Sequence, residues 1–367
     1  MRIIHCSDLH LDADLRTRFD SALAAVRRAE RLDTFRRLCF YAARQDVAAV
    51  LICGDLFDTD SPSPSAVRAV ENLILSFPDI LFFYLRGNHD GRSVLFRTNR
   101  RPDNLVLFDR SWTSRELPPD TAGGRRVCIT GREPGTEPFL SPDLEPACLN
   151  IVMLHGQVRD GYTSPDPESV PLGALRGCGI DYLALGHLHH YRSFALDDRG
   201  SAAYCGTLEG RGFDECGDCG FVLIETDERG TNLKSRFIPF ASRKLYTVDC
   251  PVTGCTSDTE VYARIARALE ESPAGEQDLV RLELTGELEY GCRPDPALVQ
   301  REWESRYHYF EYLSIAEPVV HVEDFLCDAS LKGEFVRVVS ADGSLSSSER
   351  AMILRCGLRA LSGESLF

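Results

Sequence analysis

The sequence predicts a layered α/β domain followed by a smaller α+β unit. Three observations point there. Apolar runs of strand length, bounded by turn residues, recur at Ile3-Ile4, Val47 to Ile52, Ile80 to Leu85, Ile151 to Leu154 and Tyr182 to Leu185. Such runs read as buried strands. Helical periodicity separates the early ones, which is the βα alternation of a layered sheet. Past residue 240 a second, shorter alternation of strand and helix patterns begins.

Taken in order, residues 22 to 45 repeat apolar positions at helical spacing: Leu23, Val26, Leu32, Phe35, Leu38 and Phe40. Residues 65 to 76 form a second helix, entered after Pro62 and Pro64. The stretch 117–147 is rich in Pro, Gly and acids around a strand-like "RVCITG". A long polar loop, 156–173, follows His155, and long loops at an active edge are often functional. From 201 to 240 the pattern is one of short strands, including Gly220 to Thr226 and Lys234 to Phe240. In the second unit "KLYTVDC", "DLVRLELTG" and "YFEYLSIA" read as strands. Ser257 to Glu271, capped by Ser257 or Asp258, and Pro296 to Tyr307 read as helices. The expected boundaries are a domain over 1–240, an α+β cap over 241–340 and a tail over 341–367. The tail carries a short amphipathic helix with Met352, Ile353, Cys356, Leu358 and Leu361 on its apolar side.

Each of the five apolar runs in the first domain ends in residues that ligate metals. The blocks are Asp8-Leu9-His10, Gly54-Asp55-Leu56-Phe57-Asp58, Gly87-Asn88-His89-Asp90, His155-Gly156 and Gly186-His187-Leu188-His189. Ligands on α/β sheets gather at the carboxyl ends of strands. Period two along a strand turns Asp8 with His10, and His187 with His189, toward one side. A carboxylate such as Asp55 has two oxygens and can bridge two cations. Alone, an Asp-x-His or a Gly-Asp is an ordinary turn; five such blocks, each after a strand, point to a metal site. The seven candidate ligands are Asp8, His10, Asp55, Asn88, His155, His187 and His189. Carboxylate, amide and imidazole without thiolate suit Mn, Fe or Zn. Two divalent ions against two aspartates leave the site net positive, which attracts a phosphate ester. Paired ions about 3.5–4 Å apart can activate water and stabilise both oxygens of an in-line displacement.

These blocks resemble the motifs of the calcineurin-like metallophosphoesterase superfamily. "IHCSDLHLD", "LICGDLFDTDSPSP", "RGNHD" and "LALGHLHH", with the later "YCGTLEGRGFDECGDCGFVLIETD", are similar to the SbcD/YhaO-like DNA repair exonuclease branch over roughly residues 1–240. Cys205 and Thr207 depart from that branch, which has proline and serine there. The resemblance implies an α/β/β/α sandwich with a small α+β cap that helps select DNA. It implies that Asp8, His10, Asp55 and His189 hold one ion. Asp55, Asn88, His155 and His187 would hold the other, with Asp55 bridging. His89 resembles the family's catalytic histidine, which protonates the leaving oxygen. An SMC-like ATPase partner is also implied.

The 367 residues are enough for two domains with cores of their own. No apolar run approaches a membrane span. The start, "MRIIHCSDLH", has no signal-peptide pattern, so a cytoplasmic location is expected. Fourteen cysteines then read as small buried hydrophobes rather than a disulfide framework, and Cys216-Gly-Asp-Cys219 as an ordinary turn. A net charge of −15 argues against a generic polyanion-binding surface. The metals would reverse the sign locally, and Arg92, Arg97, Arg100 and Arg101 are candidate contacts to a nucleic-acid backbone. His5, His190, His308 and His321 are expected to be structural or surface residues. With no P-loop and no heptad region, the chain has no motor of its own. The expected function is a two-metal phosphodiesterase acting as a DNA exonuclease or endonuclease, with DNA and an SMC-like ATPase as partners. A homodimer is left open. The alternatives are a small-molecule phosphoesterase, on cyclic nucleotides or phosphomonoesters, and a weakly active DNA-binding scaffold.

Overall fold

The computed structural model describes all residues except 93–94, 97–100, 119–125, 136–138, 161–167, 228–232, 290–291, 293 and 364–367. It divides into two compact units, Met1–Lys244 and Leu245–Phe367.

The first unit holds two six-stranded sheets. One runs β14 (Leu233–Pro239), β13 (Gly220–Thr226), β1 (Arg2–Cys6), β2 (Val47–Cys53), β3 (Leu81–Leu85), β4 (Leu105–Leu107). The other runs β11 (Arg192–Ala195), β12 (Ser201–Tyr204), β10 (Tyr182–Gly186), β7 (Leu149–His155), β6 (Val127–Gly131), β5 (Thr113–Glu116). β1 to β4 pair in parallel, as do β6, β7, β10 and β12. Their strands are near-continuously apolar because both faces are covered. Between the sheets pack Ile3, Leu51, Phe83, Ile129, Ile151, Met153 and Ala184. His5 also bridges them, with Nδ1 3.0 Å from the Tyr182 hydroxyl and Nε2 3.1 Å from the Leu185 carbonyl. Burial pushes its pKa down to about 3, so it is a neutral structural residue.

Helices α1 (Ser21–Arg44) and α2 (Pro64–Ser76) cover the outer face of the first sheet through Phe35, Leu38, Cys39, Val70 and Ile74. Asp20 caps α1 by accepting from the amides of Ala22 and Leu23, worth about 1 kcal/mol. The inward face of α1 differs from the periodicity. Val26 and Phe40 are exposed, while Arg27 and Arg31 are buried. Arg27 reaches Glu209 (3.0 Å) and the Gly210 carbonyl (2.9 Å), and Arg31 donates to the carbonyl of Leu9. These partners offset only part of what burying two guanidinium groups costs, since Arg27 Nε and Arg31 Nε and Nη1 have no hydrogen-bond partner among the described residues. Among the described residues, the outer face of the second sheet is covered by the 3-10 turn Leu172–Ala174 and loop residues such as Leu175, Ile180 and Leu196. A short parallel pair, β8 (Gln157–Arg159) and β9 (Ser169–Pro171), flanks the loop after His155.

In the second unit β15 (Leu245–Pro251), β16 (Leu279–Thr285) and β18 (Tyr309–Ser314) form a parallel sheet in that order. Helices α3 (Asp258–Glu271) and α4 (Pro296–Trp303) pack on it through Val261, Ile265, Leu269, Val299 and Trp303. Residues Glu304–Arg306, expected as helix, form a 3-10 turn. A minor pair joins β17 (Glu287–Glu289) to β19 (Glu317–Val319). Helices α5 (Leu331–Ala341) and α6 (Ser347–Leu361) meet through Val336, Val339, Leu354 and Leu358. The apolar side expected of α6 is therefore redrawn. Leu354 and Leu358 are buried, whereas Met352, Ile353 and Cys356 lie in solvent. None of the fourteen cysteines is in a disulfide. No described helix is long and apolar enough to cross a membrane.

Candidate metal centre

The carboxyl ends of β1, β2, β3, β7 and β10 converge, bringing all seven candidate ligands together. Two short turns are zipped by backbone hydrogen bonds: Asp8 N to Gly54 O (3.1 Å), His10 N to Asp55 O (2.9 Å) and Leu11 N to Leu56 O (3.0 Å). The second sheet is tied in by the amide of His187, which donates to both Asp8 carboxylate oxygens at 3.1 Å.

The pleat is not what aims the side chains. β1 stops at Cys6 and β10 at Gly186. Six non-glycine residues among those described have left-handed φ, and four of them are candidate ligands: Asp8 (52°), His10 (43°), Asp55 (50°) and His187 (106°). Such conformations cost about 1–3 kcal/mol each and persist where the surroundings over-determine them. Here the surroundings are specific. Thr207 donates to the Asp8 carbonyl at 2.8 Å, and Arg31 takes the Leu9 carbonyl between Asp8 and His10. Gly54 and Gly186 press on His155: a Cβ at Gly54 would overlap its ring, and one at Gly186 would stand 2.8 Å from its Nδ1.

Asp8, His10, Asp55 and His155 are buried. The His155 Nδ1 is 2.8 Å from the Cys53 carbonyl, so that nitrogen carries the proton and Nε2 is left to ligate. That Nε2 lies 2.9 Å from Asn88 Oδ1 and 3.5 Å from Asp55 Oδ2. The His187 ring stands edge-on to His155 with centroids 5.5 Å apart. On the other side, His10 Nε2 is 3.8 Å from Asp55 Oδ2, and His189 Nε2 is 3.8 Å from Asp8 Oδ1. Asp55 thus lies between the two groups of nitrogens.

Divalent ions fit this arrangement. Neither ring nitrogen of buried His10 has a hydrogen-bond partner, although Nδ1 lies 2.9 Å from Asp58 Oδ1. Burial pushes the carboxyls of Asp8 and Asp55 up, Asp55 to about 6. A cation between them would reverse that shift. Burial, with Arg211 and Arg31 nearby, holds His10 down and therefore neutral, as a ligand must be. His187 is also lowered by burial, then by His155. His189 is the exception: burial opposes its charge, but the Glu215 hydrogen bond and Asp8 raise it.

His89 is exposed beside this cluster. Its amide donates to Asp55 Oδ1 at 3.0 Å, and its Nδ1 lies 3.2 Å from the Asp58 carbonyl. The ring is edge-on to His10 at 4.9 Å. Asp90 is buried and fixes the turn, accepting from Gly87 N (2.7 Å), Phe57 N (3.3 Å) and the Tyr84 hydroxyl.

The two described candidate arginines, Arg92 and Arg101, stand apart. Arg92 is solvent-exposed, its amide donating to Asp60 Oδ1 at 2.9 Å. Arg101 lines a different groove, with Thr113 and Arg115. Arg97 and Arg100 lie outside the described residues. Three residues at the centre escaped the ligand search: Asp58, Arg211 and Glu215. Their signal was present in "GDLFD" and in the opposite charges of "RGFDE". Cys216 and Cys219 donate to the carbonyls of Phe213 and Glu215 (3.1 and 3.8 Å), consistent with a turn.

Two stacked sheets that meet at one edge in a cluster of Asp, Asn and His define a metal-dependent phosphoesterase. A family model, calcineurin-like phosphoesterase, matches residues 1–191, and the chain belongs to that family. The family uses divalent metal ions. The chain is also similar to the DNA double-strand break repair protein Mre11 of Methanosarcina acetivorans, with 23% identity over 300 residues, covering 78% of this chain. It spans about half the length of that relative (46%).

Proposed function

We propose that the chain is a two-metal phosphodiesterase that cleaves DNA, with residues 1–240 catalytic, 241–340 a cap and 341–367 a tail. The observation that carries this reading is the convergence of seven ligand-type side chains from five strand ends around Asp55. The similarity to Mre11 supports DNA as the substrate. Asp8, His10, Asp55 and His189 would hold one ion, and Asp55, Asn88, His155 and His187 the other. When bound, two divalent ions, Mn²⁺ being the expected metal, supply Lewis-acid activation of water and phosphate. Asp55 keeps the two halves of the site in register, and its Oδ1 holds the amide of His89. With Nδ1 on the Asp58 carbonyl, His89 has Nε2 left to deliver a proton to the leaving oxygen.

The test compares hydrolysis of single-stranded DNA, hairpin DNA and a small diester with and without Mn²⁺. Cleavage of both DNAs that disappears on chelation is expected. Turnover of the small diester alone would favour a small-molecule phosphoesterase, and metal binding without turnover a DNA-binding scaffold. Full activity in metal-free protein would defeat all two-metal readings. Adding an SMC-like ATPase should stimulate DNA cleavage by the full chain but not by one lacking residues 346–367. An equal response from both would remove the tail from partner docking.

Arg92 and Arg101 are proposed to contact DNA phosphates. Replacing either with alanine should flatten the salt dependence of DNA binding by about one unit in slope per lost contact. Small-diester hydrolysis should stay unchanged. A parallel loss on both substrates would instead make these arginines supports of the site.

A further inference from the structure

We infer that Arg211 is a positioning residue that fixes one of the two ion positions and leaves the other untouched, an inference that rests on the two-metal reading above. The Arg211 side chain is almost buried, 11% exposed. Its Nε and one terminal nitrogen hold Glu215 Oε1 at 2.8 and 2.7 Å, and its own amide holds Oε2 at 2.7 Å. The other terminal nitrogen is 3.3 Å from Asp58 Oδ1. These two carboxylates face the Nδ1 atoms of two histidines. Glu215 Oε1 is 2.8 Å from His189 Nδ1, and Asp58 Oδ1 is 2.9 Å from His10 Nδ1.

One guanidinium therefore joins the carboxylates behind His10 and His189, which belong to the same ion position. The fork geometry of arginine suits this, since it offers several donors in fixed directions. One terminal nitrogen also lies 2.7 Å from His189 Nδ1. An ion on Nε2 would place the ring proton on Nδ1, and Glu215 is the group there that can accept it. Carboxylates behind ligating imidazoles set tautomer and ring orientation. The second position is built differently. His155 is oriented by a neutral backbone carbonyl, that of Cys53, and His187 is held through its backbone amide. Neither contact involves Arg211. Without the guanidinium, Glu215 and Asp58 lose their shared counter-charge; His189 loses the alignment its Nδ1 takes from Glu215, and the carboxylate 2.9 Å from His10 Nδ1 is no longer held in place.

The experiment is Mn²⁺ binding to the full chain, stripped with chelator, by isothermal titration calorimetry and electron paramagnetic resonance. The wild type should take up two ions with a spin-coupled signal. Arg211→Met should keep one ion at wild-type affinity and bind the other about 10–100-fold more weakly. The coupled signal should then return only at excess Mn²⁺. Arg211→Lys restores charge without the fork and should recover only part of the loss. Asn88→Ala should weaken the opposite ion, so that Arg211→Met with Asn88→Ala binds both ions weakly. Two unchanged affinities in Arg211→Met, or equal weakening of both, would overturn the assignment. If circular dichroism shows Arg211→Met unfolded, Arg211→Lys decides by the same two criteria. A wild-type chain that binds fewer than two ions refutes the two-metal reading itself, a distinguishable result.

Discussion

Asp55→Ala is expected to empty the centre: metal content should fall from two ions toward none, and hydrolysis of every substrate should fall to background. The reason is position. Asp55 Oδ2 lies 3.8 Å from His10 Nε2 and 3.5 Å from His155 Nε2, so both halves of the site are built on one carboxylate. The metal-free protein should respond in the opposite direction. Asp55→Asn keeps the shape of the side chain and removes its charge. Burial has pushed this carboxyl from 3.8 to about 6, so its ionised form works against the folded state when no cation is present. The destabilisation is full above about pH 6 and vanishes as pH falls toward 3.8, where the unfolded carboxyl is itself protonated. Metal-free Asp55→Asn should therefore melt above wild type at pH 7–8, and the gap should close in acid. Elemental analysis and melting curves across pH check both halves. Retention of two tightly held ions in Asp55→Ala would remove it from the bridging role.

His89→Ala is expected to lower kcat by roughly 10²–10⁴-fold, the usual contribution of a general acid, with both ions retained. The side chain is exposed and tied to the site through its amide on Asp55 and its Nδ1 on the Asp58 carbonyl. Alanine keeps the amide, so Asp55 keeps that hydrogen bond. Metal analysis beside steady-state kinetics separates the outcomes. Loss of ions along with activity would make His89 a ligand and return the proton-transfer role to another group.

What was legible in the sequence followed from burial. The parallel strands are covered on both faces, so they are unbroken apolar runs, and the polar residues that interrupt them mark the strand ends. One edge strand gave no such signal. β5, Thr113–Glu116, is exposed along its whole length and has no alternation to read. α5 was obscured differently. Phe335-Val336-Arg337-Val338-Val339 is rich in the β-branched residues that strands favour, yet Val336 and Val339, three apart, turn together onto α6, and tertiary packing decides. The apolar periodicity of α1 left Arg27 and Arg31 unmarked, because no periodicity marks an arginine as core. Their partners, Glu209 and the Leu9 carbonyl, come from other segments. The candidate ligands do lie together, but the reason offered for their aim was not the physical one. A two-residue repeat placed Asp8 beside His10; left-handed backbone does it instead. Asp58, Arg211 and Glu215 stand beside the candidate ligands His10 and His189, and that relation exists only in three dimensions.

The confinement of His155 has a thermodynamic consequence. With the backbone of Gly54 and Gly186 against the imidazole and the Cys53 carbonyl on its Nδ1, the ring has almost no rotational freedom left to lose. Freezing a mobile side chain at a binding site costs on the order of 0.5–1.5 kcal/mol. At His155 that entropy is already lost when the chain folds, so ion capture there should proceed without it. An alanine at position 54 would overlap the ring and force it out, and one at 186 would first press on the Cys53 carbonyl that holds it; whatever new orientation the ring took would have to be frozen again at each binding event. The two glycines thus work as devices of preorganisation, acting on affinity from positions that never touch the ion.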